Sequence, residues 1–231
     1  EGVRLGLIGT HHELQDLAAT LAAQRSQEGQ PTTLMQQVLG QVHTAYRELQ
    51  AALLGITDDE FDQEPAAGEW PLRIILGHIF TAERTFFALI ISGLAQQQAG
   101  AARPFSFPDG EVERIPGSQD AFYDVIDNQP LATIQQHYDA FHQHVLNELQ
   151  DVPDEQFLGP SPIWWEEEEY SLQYRLHRFE AHLRQHLVQI DRTLLLLNHP
   201  AREASHFLRL IFRALASVEN GVLGAPELGQ D

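Results

Sequence analysis

Apolar residues return every three or four positions along nearly the whole chain, and stretches that alternate apolar with polar are almost missing. A period near 3.6 marks helices that each bury one stripe, whereas a half-buried strand needs a period of two. The chain is therefore expected to be all-α. Helices are expected over about 8–26, 33–55, 70–97, 118–150 (broken near Pro130), 170–198 and 201–219. The separators are rich in Gly and Pro: "SQEGQPTT" (26–33), "PAAGEWP" (65–71), "GAARPFSFPDGEVERIPGSQ" (100–119), "GPSPIWWEEEEYS" (159–171) and "NHP" (198–200). Such runs end helices, and Pro71 suits the first turn of the one that follows.

One segment is echoed. "AYRELQAALLGITDDEF" (45–61) resembles "FHQHVLNELQDVPDEQF" (141–157) at an offset of 96 residues. Leu49 falls on Val145, Leu53 on Leu149, Ile56 on Val152, Asp58 on Asp154 and Phe61 on Phe157. Each copy is followed by a Pro-bearing loop and a long helix containing His. Two helical hairpins of similar plan predict an up-down four-helix bundle with one long crossover, here 98–119. An extra helix stands at each end, about 8–26 and 201–219. The expectation is one domain over 1–231 with its core at about 33–198.

Residue types that are missing narrow the chemistry. There is no Cys, and all 14 basic residues are Arg. Disulfides, thiolate nucleophiles, iron–sulfur clusters, Schiff bases and a P-loop lysine are thereby excluded. Neither G-x-S-x-G nor G-x-G-x-x-G occurs. Any transition-metal site must use His, Asp and Glu. A formal charge of −19 disfavours nucleic acid and anionic membranes as partners. The longest apolar run, "FFALIISGL" (86–94), is half of what a membrane span needs. No signal-peptide pattern opens the chain, so a cytoplasmic location is expected.

The histidines carry the chemical signal. In "EAHLRQHLVQID" (180–191), His182 and His186 are four residues apart on a segment that reads as helix. Four residues is about one turn, so both rings leave one face roughly 40° apart. They lie on one rim of the apolar stripe, and Gln189 shares that face two turns beyond His182. His78 lies beside the apolar arc of the helix at 70–97. Three imidazoles from two core helices would leave a divalent ion an open position for water or substrate. Glu83 is about 140° around from His78 and does not share its face. Arg175 and Arg178 lie on the other side of the rim, suited to an anionic cosubstrate or to solvating a helix face. The spacing alone leaves an ordinary helical bundle open.

"GEWPLRIILGHIFTAERTFF" (68–87) and "RLHRFEAHLRQHLVQIDRTL" (175–194) resemble the DinB-like (DinB/YfiT) superfamily of four-helix bundles. The match rests on a Trp and a His separated by seven residues, Trp70 and His78, and on His182, His186 and Gln189. The resemblance implies that His78, His182 and His186 ligate a divalent metal: zinc, nickel, manganese or iron. It implies a thiol-dependent S-transferase using a low-molecular-weight thiol cosubstrate, or a metal-dependent hydrolase, acting on a small-molecule substrate. Homodimers are common in this family. Leu183 stands where the H-E-x-x-H motif has Glu, so no base is built into the pair. Gln189, Arg178 and Glu83 are the remaining catalytic candidates. The alternatives are a ligand-binding or sensor bundle with a structural metal or none, and a helical interaction or oligomerisation protein.

Overall fold

Helix starts are set by short-range chemistry. Thr33 and Thr57 each open a helix with a capping box: their hydroxyls accept from the N–H of Gln36 and Glu60, and those side chains accept in return. Pro71, Pro130 and Pro153 occupy the cap position of three more, where the missing N–H costs nothing. Pro71 thus sits one residue ahead of the first turn. In the computed structural model, which describes residues 2–100, 119–161 and 168–229, these signals delimit α1 (Gly2–Gln27), α2 (Leu34–Ala52), α3 (Asp58–Asp62), α4 (Leu72–Gln98), α5 (Gln119–Asn128), α6 (Leu131–Leu149), α7 (Asp154–Phe157), α8 (Leu172–Leu196) and α9 (Glu203–Val222). A 3₁₀ turn, Pro226–Gly229, follows. The fold is all-α as expected, and the helix at 118–150 is broken at Pro130 as its sequence requires. Among the described residues the only β pairing is an isolated bridge between Pro160 and Ser171.

Four long helices, α2, α4, α6 and α8, share one core with α5 and α7. His43 meets His142 and Tyr46 meets Asp139, so α2 and α6 are antiparallel. His78 meets His186, Phe86 meets Phe179 and Gly93 meets Leu172, so α4 and α8 are antiparallel too. Arg73 at the start of α4 donates to the Gln129 carbonyl just before α6, which makes α4 and α6 parallel. The bundle therefore runs up, down, down, up, the arrangement that one long crossover permits. The crossover itself (101–118) lies outside the described residues.

The echoed segments are structurally equivalent. Phe61 and Phe157 are both fully buried. Asp154 accepts from the N–H groups of Leu34 and Met35, both at 3.2 Å, at the start of α2. Asp58 accepts from Leu131 N at 2.8 Å, at the start of α6. Each half thus caps the other half's long helix, the reciprocity of an approximate two-fold axis. A carboxylate at a helix N-terminus satisfies orphan donors and meets the positive end of the helix dipole. Asp154→Ala is expected to lower stability by about 1–2 kcal/mol and Asp58→Ala by about 1 kcal/mol. Urea melts of the two variants would show no change if these contacts were idle.

The terminal helices form a separate layer. α9 packs on α2 and on α1, while α1 packs on α9 and the 3₁₀ turn. Gly40 lets α9 approach: a Cβ there would meet the Asn220 side chain at 3.0 Å. Arg25 fastens α1, donating to the carbonyls of Gln30 (2.7 Å) and Leu223 (2.8 Å) and to Gln36. By length and composition α4 alone among the described helices reaches the threshold for a membrane span. Its apolar side faces the bundle core, and it carries the buried Glu83 and Arg84.

Candidate metal centre

Two features bring the histidines together. Gly68, with φ of +80°, turns the chain ahead of Trp70 and Pro71, so α4 starts where His78 lies in its second turn. On α8, Ser171 caps the first turn by accepting from Tyr174 N, and His182 and His186 follow on the side facing α4.

His182 Nε2 lies 3.2 Å from His78 Nε2 and 3.1 Å from His186 Nε2. All three ligand atoms fall within 4.8 Å of one another. A tetrahedral ion with nitrogens at 2.0–2.1 Å sets those nitrogens about 3.3 Å apart, the separation that His182 Nε2 keeps from each of the other two. Hydrogen bonding among the rings does not account for it equally well. One ring nitrogen carries one proton at most when neutral, and His182 Nε2 faces two like neighbours. His186 donates from Nδ1 to Gln189 Oε1 at 2.8 Å, which leaves its Nε2 as the lone-pair atom. His182 Nδ1 is buried and has no partner among the described residues.

Two of the rings, His78 and His182, are biased toward the neutral form. Burial lowers the His182 pKa to about 4, with the nearby His186, His78 and Arg178 adding to the shift. Burial, then His186, lowers that of His78. A neutral imidazole is the form that ligates.

The cluster opens into a cavity of about 520 Å³ lined by Gly68, Glu69, Trp70, Gln185, Gln189 and the three histidines. The Trp70 indole stands edge-on to His78, with ring centroids 5.6 Å apart. Glu69 is the only carboxylate in this lining, and Arg192 on α8 donates to it. Gln189, named by its spacing, lines the cavity and also accepts from His186 Nδ1. Arg178 is exposed, with its guanidinium carbon 5.6 Å from the centre of the Phe86 ring. Arg175 lies elsewhere: it is buried and donates to the Ser161 carbonyl at 2.6 Å, tying the loop before α8. Glu83 is buried against Tyr138 and does not line the cavity.

Sequence reasoning left Glu69 and Gln185 unmarked. Glu69 adjoins Trp70, and Gln185 stands one residue before His186, so both were within reach of the same motif. It also missed a second histidine pair, His43 and His142, whose Nδ1 and Nε2 lie 2.9 Å apart in the core. Both sit on buried faces of α2 and α6, a placement that the helix periods alone would have flagged. Of "WWEEEEY" (164–170), residues 164–167 lie outside the described residues.

A family model described as the DinB superfamily matches residues 41–190, well over half of the chain. That stretch contains all three clustered histidines. No curated protein and no solved structure gives a significant match.

Proposed function

The chain belongs to the DinB superfamily, and from that premise we propose that it is a metal-dependent enzyme of thiol-dependent S-transferase or hydrolase type. His78, His182 and His186 hold one divalent ion, and a small molecule reacts in the adjoining cavity. One observation carries this reading: two imidazole nitrogens stand 3.1–3.2 Å from a third, across two helices. A zinc, nickel, manganese or iron ion bound there lowers the pKa of a bound water or thiol, supplying hydroxide or thiolate near neutral pH.

The protein's own groups do the rest. Gln189 fixes the orientation of His186 through its Nδ1–H. Trp70 stands edge-on beside His78 and forms an aromatic wall on that side of the site. The Gln185 amide offers both a donor and an acceptor to a polar substrate group. Glu69 is the carboxylate in the lining, and Arg192 donates to it. With no Cys in the chain, a thiol reaches the site only as a cosubstrate.

Metal analysis of protein purified without chelator is expected to give one divalent ion per chain. Turnover is then sought with that ion against a thiol/electrophile panel and an ester/amide panel. A protein that cannot be loaded with zinc, nickel, manganese or iron overturns the proposal. Full loading without turnover on either panel favours the ligand-binding or sensor alternative.

A further inference from the structure

The two-fold relation between the halves extends to the helices that carry the cluster. Sliding α4 onto α8 by 100 residues pairs Leu72 with Leu172, Leu76 with Leu176, Arg84 with Arg184 and Leu94 with Leu194. The same shift pairs His78 with Arg178, Ala82 with His182 and Phe86 with His186. The pseudo-symmetric mate of the metal cluster is therefore Arg178 with Ala82 and Phe86. Because α4 and α8 are antiparallel neighbours, the mate adjoins the cluster. The Phe86 ring stands edge-on to His182, centroids 5.6 Å apart at 85°. The Arg178 guanidinium carbon lies 5.6 Å from the centre of Phe86.

Arg178 is also singular in its surroundings. The chain has 33 acidic residues against 14 basic ones, so most cations find a carboxylate. Each of the other three arginines of α8 is engaged: Arg175 with Ser161, Arg184 with Glu48 and Glu180, Arg192 with Glu69. Arg178 makes no hydrogen bond or ion pair among the described residues and is exposed. A guanidinium resting on an aromatic ring keeps its N–H edge free for a bidentate anion. Arg178 precedes His182 by four residues, which is about 6 Å along the helix.

Building on the metal-enzyme reading above, we infer that Arg178, backed by Phe86, is an anion subsite of the metal centre. The small molecule that ligates the three-histidine ion carries a carboxylate about one helical turn from its ligating atom. The metal and the guanidinium then hold the two ends of one substrate, with Phe86 in contact with both His182 and Arg178.

The test uses the full chain loaded with cobalt(II), with affinities read from the thiolate-to-cobalt absorption band. The probes are mercaptoacetate, 3-mercaptopropionate and 4-mercaptobutyrate, each beside the mercapto-alcohol of equal length. In the native protein at least one carboxylate is expected to bind about 10- to 100-fold tighter than its alcohol. Arg178→Gln brings that ratio to about one, while the alcohol's affinity and the cobalt stoichiometry stay unchanged. Arg178→Lys keeps part of the preference. Equal binding of carboxylates and alcohols by native protein overturns the inference and leaves the metal centre standing. So does a preference that survives in Arg178→Gln. A native protein that takes up no cobalt overturns both readings, and the missing band distinguishes that outcome.

Discussion

His186→Ala is expected to fold and to lose its metal. The substitution removes one of three ligands and also leaves the Gln189 amide without the ring it holds. Losing a ligand's hydrogen-bond partner alone typically weakens a metal site by about 10- to 100-fold. Gln189→Ala should fall in that range, and His186→Ala should exceed roughly 100-fold. His186 is only 5% exposed, so some stability is lost with it. The fold survives because the surrounding core, Leu183, Leu187 and Ile190 included, does not depend on the ring. Competition against a chromophoric chelator gives the affinities, and circular dichroism verifies the helices. Native stoichiometry and affinity in His186→Ala would remove the metal centre as described.

The second large effect concerns Glu83, a carboxyl 1% exposed in the middle of α4. Burial pushes its pKa up from the ordinary 4.5 to about 8, against a smaller opposing pull from the Tyr138 hydroxyl. Its Oε1 has no hydrogen-bond partner among the described residues. The folded protein therefore holds this proton more tightly than the unfolded chain does. From this group, stability is fully present below pH 4.5 and is lost as pH rises through about 8. At roughly 1.4 kcal/mol per pH unit, the loss is on the order of 3–5 kcal/mol. Glu83→Gln keeps the shape and removes the ionisation. Its melting temperature should match the native protein's near pH 5 and exceed it by roughly 5–15 °C near pH 8.5. Parallel melting curves across that range would mean that Glu83 ionises without penalty, contrary to its burial.

Helix boundaries were legible because Gly- and Pro-bearing runs punctuate one long 3.6-residue period. The histidine pair was legible for the same reason, since one turn fixes its direction. So was the exclusion of Glu83 from the His78 face. What the sequence withheld depends on contacts between distant segments. Arg175 and Arg178 sit on one side of the same wheel, yet one is buried and the other open. The difference is a carbonyl of Ser161, 14 residues away from Arg175 in the chain. The echo at 96 residues was visible, but its continuation at 100 was not, because the intervening loops differ in length. The packing of α1 against α9 rather than against the bundle joins residues about 200 positions apart, as Arg25 and Leu223 show. No local period records such a choice.

The exchanged caps of Asp58 and Asp154 bear on how such a chain comes to exist. A half made of one long helix, one short helix and one histidine-bearing helix leaves its own leading N–H groups bare, and carries the carboxylate suited to an identical neighbour. Two separate copies of that half would clasp each other through the same pair of contacts. Joining them end to end changes the number of chains and leaves the clasp intact, so an ancestral homodimer and this single-chain bundle are neighbouring solutions. After fusion the two histidine-bearing helices are free to diverge, and α8 carries His182 and His186 where α4 carries Ala82 and Phe86.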